Sequence, residues 1–324
     1  MVIFSHILIF IVSCVLLAFS GRWLVKALSK ISEFFGWKEF TVSFFIMSFA
    51  TASPELFIGL SSASQGIPEL SLGNIIGQNI IHFTLAIAIC VFFAGKFSVR
   101  SKIIRKTAWF SAFMAFLPIV MILDGTLSRS DGIILIATFL AYTLWIAGRK
   151  ENYEKKYDDP QTKNLSIWEK ISVFSKNFAI FGVGVLVMII AAGGIVRSAS
   201  LFAESLGIPL VIIGALIVGL GTALPEVYFS AEAAREKKGE LMAGNLLGAT
   251  VVSTSVVLGI VSIISPISGE MISPYIVSRV FLAIAVIAFL IFSSTGKVIT
   301  KREAFALFLI YVAFILAETT LSIY

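Results

Sequence analysis

Ten apolar runs, each close to the length needed to cross a bilayer, follow one another along this chain of 324 residues. A helix needs about 20 mostly apolar residues to span the hydrocarbon core. Bounded by charge, Gly or Pro, the runs fall near residues 2–28, 39–65, 69–95, 106–123 and 131–148, then 177–202, 208–235, 240–265, 273–294 and 302–322. With 58% hydrophobic and only 14% charged residues, the chain has too little polar surface to coat a soluble globule, and the runs leave no room for a large soluble domain. An all-α integral membrane protein is expected. The first run has the apolar stretch of a signal peptide, but nothing basic precedes it and it is long for that role, so it is read as the first span. Cys14 and Cys90 lie inside apolar runs with no disulfide or metal spacing and are read as small apolar fillers.

Displaced by 171 residues, the chain matches itself. Residues 40–90 align with 211–261 without a gap: TASPE at 51–55 falls on TALPE at 222–226, and ELSLGNIIG at 69–77 falls on ELMAGNLLG at 240–248. Several matches at one offset mark an internal repeat. Five runs, an odd number, precede the second copy, so the two copies enter the membrane from opposite faces. The expected architecture is therefore ten transmembrane helices arranged as two inverted five-helix repeats, 1–148 and 177–324, joined by a linker at 149–176. Inverted repeats are common in secondary transporters, whose sites lie at the repeat interface near the midplane.

Basic residues set the expected orientation. With the N-terminus outside, cytoplasmic ends and loops collect 22 of the 25 Lys and Arg, leaving Arg129, Arg197 and Arg279 for the other side. Both termini are then outside. The net charge of +6 is thus accounted for by the positive-inside rule, with no nucleic acid invoked as a partner. The linker mixes signs around KENYEKKYDDPQTKN and contains Pro160, as a solvated cytoplasmic connection would.

Chemistry concentrates at Thr-Ala-x-Pro-Glu, which each copy places mid-span. Pro54 and Pro225 remove a backbone donor and free carbonyls near Thr51 and Thr222, and freed carbonyls are cation ligands. A carboxylate at the bilayer centre costs at least about 2.5 to 3.5 kcal/mol, so Glu55 and Glu226 require a partner or a proton, and the spans offer no Lys or Arg at that depth. Brought within about 4 Å at an effective dielectric near 20, the two charges would repel by about 4 kcal/mol. Such a pair must hold a cation or take up protons, and that alternative is the physical basis for exchange. Carboxylate, hydroxyl and carbonyl oxygens suit Ca²⁺ better than Mg²⁺, which sheds water reluctantly. Thr51 and Thr222 have a second reading, bonding back within their own helices. The glycines of GN-x-x-G at 73–77 and 244–248 permit close helix packing, and Asn74 and Asn245 read either as interhelical glue or as ligands.

These two segments, FATASPELFIGLSSASQGIPELSLGNIIGQNIIH and GLGTALPEVYFSAEAAREKKGELMAGNLLGATVVS, resemble the alpha repeats of sodium/calcium exchangers in the calcium/cation antiporter superfamily. The family pattern is GTS-x-PE followed by GN-x-x-GSN. The resemblance implies that Glu55 and Glu226 ligate Ca²⁺, with Thr51 and Thr222 adding oxygens; Ser53, Asn74, Gln78, His82, Asn245 and Ser253 complete the candidate metal set. The pattern departs from the family at several positions. Ala52 and Ala223 replace the serine after each Thr, Gln78 and Ala249 replace the serine of GSN, and His82 and Ser253 stand where the family has Asn or Asp. Hydroxyls that sodium sites would use are lost, so proton coupling rivals sodium coupling. His82, mid-span on the face expected to meet Glu55, is a candidate proton carrier; its other reading is a neutral, hydrogen-bonded histidine.

The expected function is exchange of Ca²⁺ for Na⁺ or H⁺ by alternating access, without a cofactor. The alternative is antiport of another divalent cation, Mg²⁺ or Mn²⁺, through the same glutamates. A channel would need a filter or rings of charge, and a metalloenzyme would need ligand sets such as HExxH, whereas the chain has only His6 and His82. The expected partners are small inorganic cations and the lipid bilayer; nothing in the sequence sets an oligomeric state. Short loops point to a prokaryotic plasma membrane.

Overall fold

The computed structural model describes residues 2–34, 48–147, 167–237, 239–268 and 276–321. Helices make up almost all of it. They are α1 (Val2–Phe34), a single turn α2 (Ser48–Thr51), α3 (Ser53–Ser64), α4 (Glu69–Ile81, continued to Ala94), α5 (Lys102–Met121), α6 (Arg129–Ala147), α7 (Ile167–Leu206), α8 (Leu210–Ile213, continued to Arg235), α9 (Gly239–Val252, continued to Ile264), α10 (Ile276–Ser294) and α11 (Lys301–Leu321). Among the described residues, eight helices are long and apolar enough to cross a membrane: α1, α4, α5 and α7 through α11. The other two expected spans, 39–65 and 131–148, are described only in part, as α2 with α3 and as the 19-residue α6.

The expected linker differs where it is described. Helix α7 is already formed at Ile167 and runs for 40 residues, so the last ten positions of 149–176 are helical rather than a loose connection. The cause is local: apolar Ile167, Ile171, Phe174 and Phe178 recur at helical spacing, and the Phe174 and Phe178 rings stack with centroids 6.0 Å apart.

Burial locates the core. Helices α4 and α9 are each 78% buried across their spans, against 22% for α1 and 28% for α11. The two central helices are thus wrapped by the others, and the peripheral ones turn large apolar side chains such as Leu144, Ile190 and Phe305 outward, as a lipid-covered surface requires. Inside, Phe83 of α4 meets Phe289 of α10 at 5.0 Å between centroids. The longest helices, α1 and α7, pack along each other at the side of this bundle.

The two central helices share an irregularity. Each widens into a π turn, at His82–Ala86 in α4 and at Ser253–Val257 in α9. Their first residues are 171 apart, the offset at which the sequence repeats. Single π turns are local defects in the hydrogen-bond ladder and are frequent at functional sites. The extended segments obey the same offset: β1 (Phe97–Ser98) pairs with β2 (Val298–Ile299), while Leu127 bridges to Ile267. Shifted by 171, residue 127 becomes 298 and residue 97 becomes 268, so each pairing is the image of the other to within two residues.

Candidate functional site

Close approach of two backbones builds the site. Glycines on α4 and α8 face one another without side chains between them: a Cβ added at Gly73 would lie 2.1 Å from the Val211 carbonyl oxygen, and one at Gly77 would lie 2.1 Å from that of Ala215. From the other side, a Cβ at Gly214 would lie 2.6 Å from the Leu70 carbonyl oxygen. Small residues at such spacing let helices touch along their main chains. The polar residues that follow these glycines are thereby carried into contact across the two halves of the sequence.

Helix α4 presents Asn74, Gln78 and His82 at intervals of four, one stripe of a helix. Each reaches a different neighbour. The Thr222 hydroxyl on α8 donates to Asn74 Oδ1 at 2.9 Å. Gln78 Nε2 donates to Glu55 Oε1 of α3 at 2.5 Å. His82 Nδ1 meets the Thr250 hydroxyl of α9 at 3.0 Å. With Thr250 Oγ1 donating to the Leu246 carbonyl at 3.2 Å, its lone pair is open to a proton on His82 Nδ1, and His82 Nε2 has no partner among the described residues. The expectation that His82 would meet Glu55 is not what the side chains do. It stands about 6 Å further along the helix axis than Gln78, so Gln78 takes that place.

Glu55 and Glu226 are both wholly buried, and the charge on Glu55 acts on Glu226. Glu55 has the Gln78 amide and also the Thr222 hydroxyl beside it. Neither oxygen of Glu226 has a hydrogen-bond partner among the described residues. Thr222 has one hydroxyl proton for Asn74 Oδ1, the Gly219 carbonyl at 3.3 Å and Glu55. If the Asn74 amide turns half a turn, its unpartnered Nδ2 donates to Thr222, and the hydroxyl proton is free for Glu55. Among the described residues, Glu55 Oε2, both oxygens of Glu226 and Gln78 Oε1 have no hydrogen-bond partner. Buried carboxylate oxygens left open in this way are the donors a hard cation takes.

The other expected residues lie nearby or turn away. Asn245 Nδ2 donates to Ser230 Oγ at 3.0 Å and approaches the Glu226 carbonyl at 3.4 Å, so it braces the helix that carries the acid. Ser53 is turned aside: its hydroxyl donates to the Ala50 carbonyl at 2.6 Å and touches Met188 Sδ at 3.3 Å. Pro54 lacks the N–H that would have satisfied the carbonyl four residues earlier, and Ser53 satisfies it instead. Ser253 donates to the Thr250 carbonyl within its own helix at 3.3 Å. The backbone of Thr51 ends α2, and its side chain is outside the described residues.

The two proline motifs are not broken alike. Ala52 interrupts the helix before Pro54, whereas α8 passes through Pro225 unbroken and widens upstream, at Gly214–Val218. Pro225 still offers no N–H to the Gly221 carbonyl, and Leu224, where the first copy has Ser53, has no hydroxyl to offer it either. Sequence reasoning overlooked Ser230, which lies one helical turn beyond Glu226. It also overlooked Thr250, Thr254 and Asn79, although Asn79 Nδ2 donates to Thr254 Oγ1 at 2.9 Å. Threonines in an otherwise apolar central span were the available signal.

A buried pair of acids among open oxygens, enclosed by helices that face lipid, defines a membrane transporter of small cations. The family description "Sodium/calcium exchanger protein" matches residues 5–148 and 176–320. The chain belongs to that sodium/calcium exchanger family, a family of membrane cation antiporters and not of enzymes. It is 27% identical to the inner membrane protein YrbG of Escherichia coli (strain K12) over 83% of this chain and 82% of that one. It is 25% identical to the sodium/calcium exchanger MaX1 of Methanosarcina acetivorans over 96% and 97% of the two chains. Its fold matches the sodium-calcium exchanger NCX_Mj, soaked with Na⁺ and Sr²⁺, with a TM-score of 0.67 at 21% identity, covering 97% of this chain and 98% of that one.

Proposed function

We propose that this antiporter exchanges Ca²⁺ for Na⁺ or H⁺ by alternating access, holding the divalent ion between Glu55 and Glu226. The observation that carries the reading is that two carboxylates, one from each copy of the repeat, are wholly buried, with the charge on Glu55 bearing on Glu226, while neither oxygen of Glu226 has a hydrogen-bond partner among the described residues. An arrangement so short of positive charge is stable only when a cation or protons occupy it. Thr222 supplies a neutral oxygen next to the acids, and Asn74 and Asn245 hold the helices that carry them. A set of this kind suits an ion that accepts six to eight oxygens in flexible geometry.

Ten spans in two inverted halves, 1–148 and 177–324, go with this reading, as do both termini outside and a prokaryotic plasma membrane. The matched π turns and the exchanged strand pairings support the two halves; the distribution of Lys and Arg supports the orientation. Protein reconstituted in vesicles should accumulate ⁴⁵Ca²⁺ when an outward Na⁺ or H⁺ gradient is imposed, and the effective gradient identifies the coupling ion. Glu55→Gln and Glu226→Gln should each abolish uptake in protein that still elutes as one folded species. Uptake that ignores both gradients, or survives both substitutions, would refute the proposal. Mn²⁺ or Mg²⁺ flux with no Ca²⁺ flux would instead establish the other divalent cargo.

A further inference from the structure

We propose that the Gln78 side chain is a built-in competitor of the transported cation, occupying one oxygen of Glu55 whenever the site is unloaded; this rests on the site assignment above. The Gln78 amide is wholly buried and 2.5 Å from Glu55 Oε1. While Glu55 is ionised and the proton of the pair sits on Glu226, the nitrogen is the end of the amide that faces Glu55, because the amide oxygen would be repelled there; that oxygen has no partner among the described residues. An N–H carries partial positive charge and cannot ligate a metal ion. Where it sits, it does for Glu55 a part of what a cation would do.

The second half of the chain has no counterpart. The position 171 residues on is Ala249, also buried, and its methyl group offers nothing to Glu226, whose two oxygens have no hydrogen-bond partner among the described residues. One carboxylate is therefore partly neutralised by the protein itself and the other is left for the cargo. An arriving divalent ion must push the amide off Oε1, and a departing ion is replaced there by the returning amide. Gln78 thus weakens binding and eases release, and an exchanger needs both in order to turn over. Thr222, also beside Glu55, is shared with Asn74 and the Gly219 carbonyl, so it cannot take over the role.

The test is equilibrium binding of ⁴⁵Ca²⁺ to purified, detergent-solubilised protein, full length, comparing the parent with Q78A, Q78S and E226Q. Losing a hydrogen bond to a charged group is worth about tenfold to a hundredfold in an equilibrium constant. Q78A should therefore bind Ca²⁺ more tightly by about that factor. Q78S keeps a small polar group in place and should also bind more tightly, which guards against a packing artefact. Damage to the fold can weaken binding but does not tighten it, so the sign of the change is decisive. Weaker or unchanged binding in both Gln78 variants, with E226Q binding nothing, overturns the competitor role while leaving the site intact. Unimpaired binding by E226Q overturns the site assignment, and the role of Gln78 falls with it.

Discussion

Replacing Gly77 by alanine should damage the site without touching a polar group. The new methyl carbon would lie 2.1 Å from the Ala215 carbonyl oxygen and 2.6 Å from the Ala215 Cα. Carbon and oxygen in ordinary contact are no closer than about 3.2 Å, so α4 and α8 would have to separate by about 1 Å. Forcing an extra methyl into a filled interior costs about 1–3 kcal/mol. The larger consequence is geometric. A separation of that size would stretch the 2.9 Å bond from Thr222 to Asn74 beyond hydrogen-bonding range, and Gln78, the next residue on α4, would move with it. Transport should fall by at least about tenfold, as misplacement on this scale commonly exacts, and thermal melting in detergent should drop by several degrees. Gly182→Ala is the control: a Cβ there meets nothing within 4 Å, and alanine in a helix interior is favoured over glycine by about 0.5–1 kcal/mol. Parent-like melting and transport in Gly77→Ala would refute the claim that contact between these backbones sets the site.

Thr250→Val removes the partner of His82 Nδ1 and leaves a buried donor unsatisfied. It should destabilise the protein by about 1–3 kcal/mol, read as a lowered melting temperature. Ser53→Ala should cost about 1 kcal/mol, because the Ala50 carbonyl loses its donor, yet ⁴⁵Ca²⁺ affinity should be kept because that hydroxyl is engaged with the Ala50 carbonyl and Met188. His82→Asn removes the unpartnered Nε2 acceptor; if His82 carries the counter-proton, the pH profile of exchange shifts, and an identical profile in the variant assigns the histidine a packing role.

The elements most readable from sequence were those fixed by one dominant force. Lipid demands apolar runs, so the eight spans found among the described residues followed from hydropathy alone, and Gly73 and Gly77 announced a close approach because only glycine allows it. Side-chain direction was harder. Asn74, Gln78 and His82 share one face of an ideal helix, but that face is longer than the site, so the three reach three different helices. Ser53 is adjacent to the proline motif and looked like a ligand; the carbonyl that Pro54 leaves free claimed its hydroxyl first. Helix α8 runs through Pro225 because the irregularity is taken up two to three turns earlier, at Gly214–Val218, a choice set by the fit against α4 and not encoded in the motif.

The two small strand pairings, Phe97–Ser98 with Val298–Ile299 and Leu127 with Ile267, lie at opposite ends of the 20-residue α5, and therefore about 30 Å apart. They act as stitches on both rims of the central bundle, each fastening the first half of the chain to the second. A barrel hooped at top and bottom does not splay, so α4 and α9 are poorly placed to open by tilting apart. If the acids are uncovered to one side and then the other, as proposed, the pair outside the hoops, α1 and α7, is the part that these stitches leave unfastened.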